Sequence, residues 1–422
     1  MPIDRRATAL HIRELIDHGV RLAAGGLPAE LIEQQLAGLS EASRAATEDW
    51  LDPEYVIGEE IITMIGNRWE LGWQPADLLH YLGRRSPKVD DLGAAAAREQ
   101  LRRTGLDQQL PDDWREQIPA SATRFPSAGR AGWLFGPGPA GDGDRLRSWR
   151  RVLHLMDRLR RMHRLAPVGP PPSQWSRTRH KAGAPAARSS GHHHDQGLLT
   201  RVRALLAKAE STTFAAEAEA LTAKAQELMV RHSIDETLVH ARESGGHYDV
   251  CARRLHLDDP YAMTKALLVQ EVADANQVRA VWDNVLGAST MIGMEADCAQ
   301  VELLVTSLLI QATRAMTEHG HAGRTGGVSR SPTFRRSFLT GYAIRIGQRL
   351  TETADRVAAE YGTELVPLLA ERRAAVDEAA EELFPHVSRG GSRTVDLRGW
   401  HAGTTAADQA VLPRGRLSAS DG

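Results

Sequence analysis

Six arginines fall between positions 320 and 350 with no acidic residue among them. They are Arg324, Arg330, Arg335, Arg336, Arg345 and Arg349, interleaved with the hydroxyl side chains of Ser329, Ser331, Thr333 and Ser337. Pro332 marks a helix start inside this run, because its fixed φ suits the first helical turn. Planar guanidinium forks, hydroxyls and the unpaired amides of a helix start are groups that hold phosphate oxygens. The pattern therefore predicts a polyanion surface, with nucleic acid or another polyanion as partner. A competing reading is internal neutralisation. Segment 351–385 carries nine acids against three arginines and could fold back over the same face.

A second chemistry needs metal ligands. His319 and His321, read as part of one loop, could supply two, with His256 or Asp258 added from a strand. Three or four such groups must converge to hold a metal, and nothing in this spacing requires it. The alternative is a metal-dependent hydrolase built on the His319/His321 loop. The two cysteines, Cys251 and Cys298, have no CxxC spacing, so no disulfide framework or cysteine zinc site is expected. HExxH, GxxxxGK[ST] and GxSxG are absent from the sequence. The leading expectation is a non-enzymatic binding protein without a cofactor. A protein–protein adaptor with a protein partner is the third reading.

The elements that must position these groups follow from periodicity. Residues 1–165 read as a helical N-terminal domain, with Leu10, Ile12, Leu15, Ile16 and Val20 at helical spacing and Ile57, Ile61, Ile62, Ile65 and Trp69 on a later helix. Seven of the nine tryptophans lie within the first 175 residues, which favours core filling there over an aromatic binding surface. Segment 144–165 is a basic amphipathic helix, with a stripe of Leu146, Trp149, Val152, Leu153, Met156 and Leu159. Its arginines are either solvated or a second anionic contact. Segment 166–196, rich in Pro, Ala, Ser and Gly and containing His192, His193 and His194, reads as a flexible linker.

Next comes LLTRVRALLAKAESTTFAAEAEALTAKAQELMVRHSID, positions 198–235. It reads as two short amphipathic helices joined by a Ser-Thr-Thr turn, within a hairpin spanning 197–240. Two helices alone bury too little surface to be stable, so the hairpin must dock on something. The Lys-Ala pair closing helix one, the Glu-Ala opening helix two and the Ala-x-x-Leu-Met ending resemble domain-of-unknown-function family 2786. That resemblance implies a fold module and supplies no chemistry.

Segment 246–385 reads as a small α+β domain with long C-terminal helices. Strands are expected near 247–257, 277–282 and 285–293, and a helix over 295–318. This layout, and SPTFRRSFLTGYAIRIGQRL in particular, resembles the domain that often follows the hairpin in that family. Residues 386–422 read as a mostly irregular tail. The expected fold is mainly α with a small α+β C-terminal domain: a helical N-terminal domain, a linker, and a hairpin packed on a short sheet plus long helices. No stretch approaches the roughly 20 apolar residues of a membrane helix, and a cytoplasmic location is expected.

Overall fold

In the computed structural model the chain divides into two compact units, Met1–Gly183 and Ala184–Gly422. The structure describes residues 5–24, 29–85, 90–118, 132–135, 142–175, 189–211, 215–243, 248–322, 331–386 and 402–407. Among these residues no helix is long and apolar enough to cross a membrane. The architecture is mainly helical, with one small sheet in the second unit.

The first unit holds α1 (Arg5–Ala24), α2 (Ala29–Ala45), α3 (Pro53–Glu70), α4 (Pro75–Arg85), α5 (Asp90–Thr104), the short α6 (Asp112–Gln117) and α7 (Gly132–Phe135), and α8 (Asp142–Arg160). Helix α3 shows why these residues fold here. Asp52 caps it by accepting from the Glu54 amide at 2.9 Å, and Pro53 occupies the first turn. Ile57, Ile61, Ile65 and Trp69 then recur at helical spacing and are fully buried. The chain leaves through Gly72 at φ +88°, where an added Cβ would stand 2.5 Å from the Leu165 carbonyl oxygen. Only glycine permits that close approach.

Helix α8 is the basic amphipathic segment, and its apolar stripe faces the core. Trp149, Val152, Leu153, Met156 and Leu159 are buried and pack against α1. Its arginines are largely spoken for. Arg145 pairs with Glu54, Arg160 with Asp17 and Glu60, Arg161 with Asp157, and Arg151 approaches Asp91 at 3.4 Å. The Arg158 guanidinium lies 4.4 Å from the centre of the Tyr81 ring. These arginines tie the unit together. Trp69, Trp73, Trp114, Trp149 and Trp175 likewise fill the core, with Trp114 edge-on to Trp69 at 5.5 Å and to Trp175 at 4.9 Å.

Trp175 lies inside the stretch read as linker. Residues 166–175 pack on the first unit, with the Ser173 amide and hydroxyl donating to Glu70 at 3.0 and 2.7 Å and Trp175 Nε1 donating to the Pro170 carbonyl at 3.0 Å. At the other end of that stretch, His192, His193 and His194 belong to the first turns of a helix. Only 176–188 of the stretch falls outside the described residues.

The second unit begins with α9 (Ser189–Ser211) and α10 (Ala215–Glu243). Both exceed the short hairpin expected, and the Thr212–Thr213 turn lies outside the described residues. Their docking partner is the core. Val202 and Leu206 of α9 and Ala225 and Met229 of α10 join a cluster with Val301, Leu304, Phe338 and Ile346. Helix α10 continues past the hairpin because Val230 and Ile234 have their own partners, Val357 and Leu365.

Strands β1 (Cys251–His256), β2 (Arg279–Asp283) and β3 (Ala288–Gly293) form an antiparallel sheet in the order β1-β3-β2, with α11 (Ala262–Asp274) between the first two in sequence. Cys251 pairs with Gly293 and Arg279 with Ile292. All six β3 residues are buried. Successive side chains point to opposite faces of a strand: Met291 enters the main helical core, while Ile292 meets Tyr248 and Val376 on the other side. The main core is supplied by α11, α12 (Glu295–Ala322) and α13 (Pro332–Glu360); the opposite face is covered by α14 (Leu365–Leu383).

The expected irregular tail is also corrected in part. Residues 402–407 are helical, and Ala406 and Ala407 are buried in the main core.

Candidate polyanion-binding surface

Helix α13 carries four of the six arginines, and its cap sets their starting register. The Ser331 hydroxyl accepts from the Phe334 amide at 3.1 Å, with Pro332 in the first turn. Phe334, Phe338, Leu339, Tyr342 and Ile346 then bury one face. What remains for the arginines is decided by that face.

The four do not share one environment. Arg336 is exposed and Arg335 half-buried. Among the described residues neither has a carboxylate within ion-pair distance. Arg345 sits near the middle of the helix, donates to Gln348 at 3.2 Å and approaches Glu352 at 3.7 Å. Arg349 is buried and donates to the Ala407 carbonyl, so it ties residues 402–407 to α13 and does not face a ligand. Arg324 and Arg330 lie outside the described residues. The candidate surface therefore narrows, on the described side, to Arg335 and Arg336.

The hydroxyl set narrows too. Ser331 is occupied as the helix cap and Ser337 is buried, which leaves Thr333 exposed; Ser329 is outside the described residues.

Internal neutralisation takes a different course from the one the sequence suggests. Acids of segment 351–385 pair mostly with other arginines: Glu360 with Arg231 at 2.6 Å, and Asp377 with Arg279 at 3.1 Å and Arg373 at 3.6 Å. Glu352 alone among the described acids reaches an arginine of the candidate set, Arg345. Helix α14 packs on the sheet and α10, where Arg372, Arg373 and Asp377 find their partners.

The residues of the metal alternative fall on separate elements. His319 and His321 lie in the last turns of α12, not in a loop. His256 ends β1, and the Asp258 carbonyl accepts from Lys265 Nζ at 2.8 Å. Among the described residues no group of three or more His, Cys, Asp or Glu is placed to hold a metal.

The cysteines make one contact that spacing did not suggest. Cys251 and Cys298 stand close together, one on β1 and the other in the first turn of α12. Cys251 stands across the sheet from Gly293, and an added Cβ on that glycine would lie 3.5 Å from Cys298 Sγ. The contact holds the Cys251 thiol below the ordinary thiol range and, with burial, pushes Cys298 up.

A mainly α protein whose second unit docks a helical hairpin on a three-stranded sheet is the class this fold defines. Within it, residues 197–236 match the family described as "Protein of unknown function (DUF2786)", so this segment is a domain of that family. No curated protein and no solved structure matches the chain.

Proposed function

We propose that this protein is a non-enzymatic binding protein that holds nucleic acid through the basic segment from Arg324 to Arg336, in a cytoplasmic setting. The observation that carries this reading is that Arg335 and Arg336, adjacent at the start of α13, have no carboxylate partner among the described residues and stand in a run without an acid. Thr333 adds an exposed hydroxyl beside them. Arg324 and Arg330 extend the same charge along the sequence, with no acid between 320 and 350.

Four arginines meeting phosphates give a log–log salt slope of about −3 to −4, since each phosphate contact releases roughly 0.9 counterion on a duplex. Fluorescence anisotropy of a labelled duplex and a labelled single strand across a salt series measures it. The double charge reversal R335E/R336E is expected to weaken binding at least tenfold and to reduce the slope by about 2. Failure of the wild-type protein to bind either polymer at low ionic strength overturns the reading. Stoichiometric zinc or manganese in the purified protein would instead revive the hydrolase alternative, and a specific partner recovered without polyanion affinity would favour the adaptor.

A further inference from the structure

A groove of the second unit shares no residue with the arginine set. It runs between the end of β1 and the middle of α12, with a volume of about 720 Å³. That lies in the range of small-molecule sites, roughly 300–1,000 Å³. Its walls are Leu255 and Leu257 on the strand side and Val305, Leu309 and Ile310 on the helix.

Ile310 is 47% exposed in the middle of a 28-residue helix. The hydroxyls along the helix wall offer little polarity. Thr306, Thr313 and Thr317 each donate to the carbonyl one turn back, on Glu302, Leu309 and Thr313, at 2.8 Å. Threonines bonded in this way turn their polar side toward the helix backbone.

The charged residues of the groove are of one sign. Lys265 and Arg314 line it, and no aspartate or glutamate does among the described residues. Lys265 Nζ donates to the Asp258 carbonyl at 2.8 Å, and Arg314 Nη1 lies 3.4 Å from the Glu210 carbonyl. Both partners are neutral oxygens, so each side chain keeps its net positive charge. An apolar trough with fixed cations and no carboxylate complements one kind of small molecule: an alkyl chain with an anionic head.

We propose that this groove binds a free long-chain carboxylic acid, its chain along Leu255, Val305, Leu309 and Ile310 and its carboxylate on Lys265 or Arg314. The groove's volume suits one alkyl chain better than a bilayer surface.

Isothermal calorimetry of the full chain with monomeric dodecanoate tests this, with dodecanol as the uncharged control. Saturable binding near one equivalent is expected, with dodecanol at least tenfold weaker. Ile310→Asp, at an exposed position, should abolish dodecanoate binding. K265Q/R314Q should bring dodecanoate down to the level of dodecanol, because it removes the head contact and leaves the trough. Circular dichroism and thermal melts of each variant establish that it is folded. R335E/R336E should bind dodecanoate as the wild type does, so a failed nucleic-acid reading leaves this one standing. Absence of saturable binding, equal affinity for acid and alcohol, unchanged binding by folded Ile310→Asp, or a response only to anionic phospholipid vesicles overturns the proposal.

Discussion

The Arg372 guanidinium of α14 forms a buried ion pair with the Asp297 carboxylate in the first turn of α12. Both side chains are almost wholly out of water, at 1% and 2% exposure. The same guanidinium donates to the Ser233 carbonyl and hydroxyl at 2.7 and 2.8 Å and to the Thr237 hydroxyl at 2.7 Å. One arginine thereby joins α10, which continues out of the hairpin, to α12 and α14. Asp297 also sits at the positive end of α12, where a carboxylate is favoured.

Removing one partner of a buried ion pair costs about 3–5 kcal/mol; the Glu236 carboxylate, 3.3 Å from the Arg372 guanidinium, remains when Asp297 is removed. Asp297→Asn and Arg372→Met are each expected to destabilise the second unit by that order. Arg372→Met should be the worse, because Ser233 and Thr237 lose their donor as well. Urea unfolding of both variants and of the double variant measures this. A double-mutant cycle showing no coupling would contradict the geometry.

Glu54 gives the first unit an unusual pH response. Burial raises its pKa from the ordinary 4.5 to about 7, against the opposing pull of the Arg145 guanidinium. A carboxyl that holds its proton more tightly when folded stabilises the fold below pH 4.5, and that contribution is lost as pH rises through about 7. Glu54→Gln should therefore flatten the stability profile between those limits and gain roughly 1–3 kcal/mol at pH 8. Tryptophan fluorescence during urea unfolding reads this unit, because seven of nine tryptophans lie in the first 175 residues.

Glu99 works with the opposite sign. Hydrogen bonds from Arg102, opposed by burial and aided by Arg103, lower its pKa to about 2. Its contribution is present above pH 4.5 and disappears as pH falls toward 2. The first unit should thus be most stable near pH 4.5–5, with Glu99→Gln removing the acid limb and costing about 1–3 kcal/mol at neutral pH.

The thiol pair predicts a specific oxidation product. Cys251 is half-buried and Cys298 fully buried. Hydrogen peroxide should oxidise the Cys251 thiolate to a sulfenic acid, its other oxygen leaving as water. The Cys298 thiol then condenses with it, releasing a second water and leaving an intramolecular disulfide. Intact mass should fall by about 2 Da, and alkylation of the reduced, folded protein should mark Cys251 before Cys298. Simultaneous alkylation of both thiols would contradict the burial.

Gly403 tests the corrected tail. A Cβ there would stand 2.0 Å from the Phe338 carbonyl oxygen. Gly403→Ala should displace residues 402–407 from α13, cost about 1–3 kcal/mol as overpacking does, and speed proteolysis near that segment.

Much of the secondary structure was legible because it follows local periodicity. The α3 stripe, the hairpin residues Val202, Leu206, Ala225 and Met229, and the three strands with their approximate limits are all visible as patterns of apolar spacing. Arg349 shows where that reading stops. It lies four residues from Arg345 in one basic run, yet its guanidinium is buried against a carbonyl 58 residues away. Charge type is a property of the sequence, whereas the partner of a charge is a property of the fold.

The same division holds for the groove and the cysteines. Ile310 lies off the stripe of α12 that faces the core, so periodicity alone makes it an incidental surface residue. Its meaning comes from Leu255 and Lys265, brought beside it by the β1 turn. Cys251 and Cys298 are 47 positions apart, and spacing alone excludes a motif without revealing a contact. The amino-acid sequence by itself determined the helical class, the family of segment 197–236 and the uneven distribution of charge, because each is carried by residue type and short-range spacing. Only the tertiary structure decided which arginines remain open, which acids they meet and where an apolar wall faces a pair of cations. Those depend on long-range packing, where burial and pairing are settled between residues far apart in the chain.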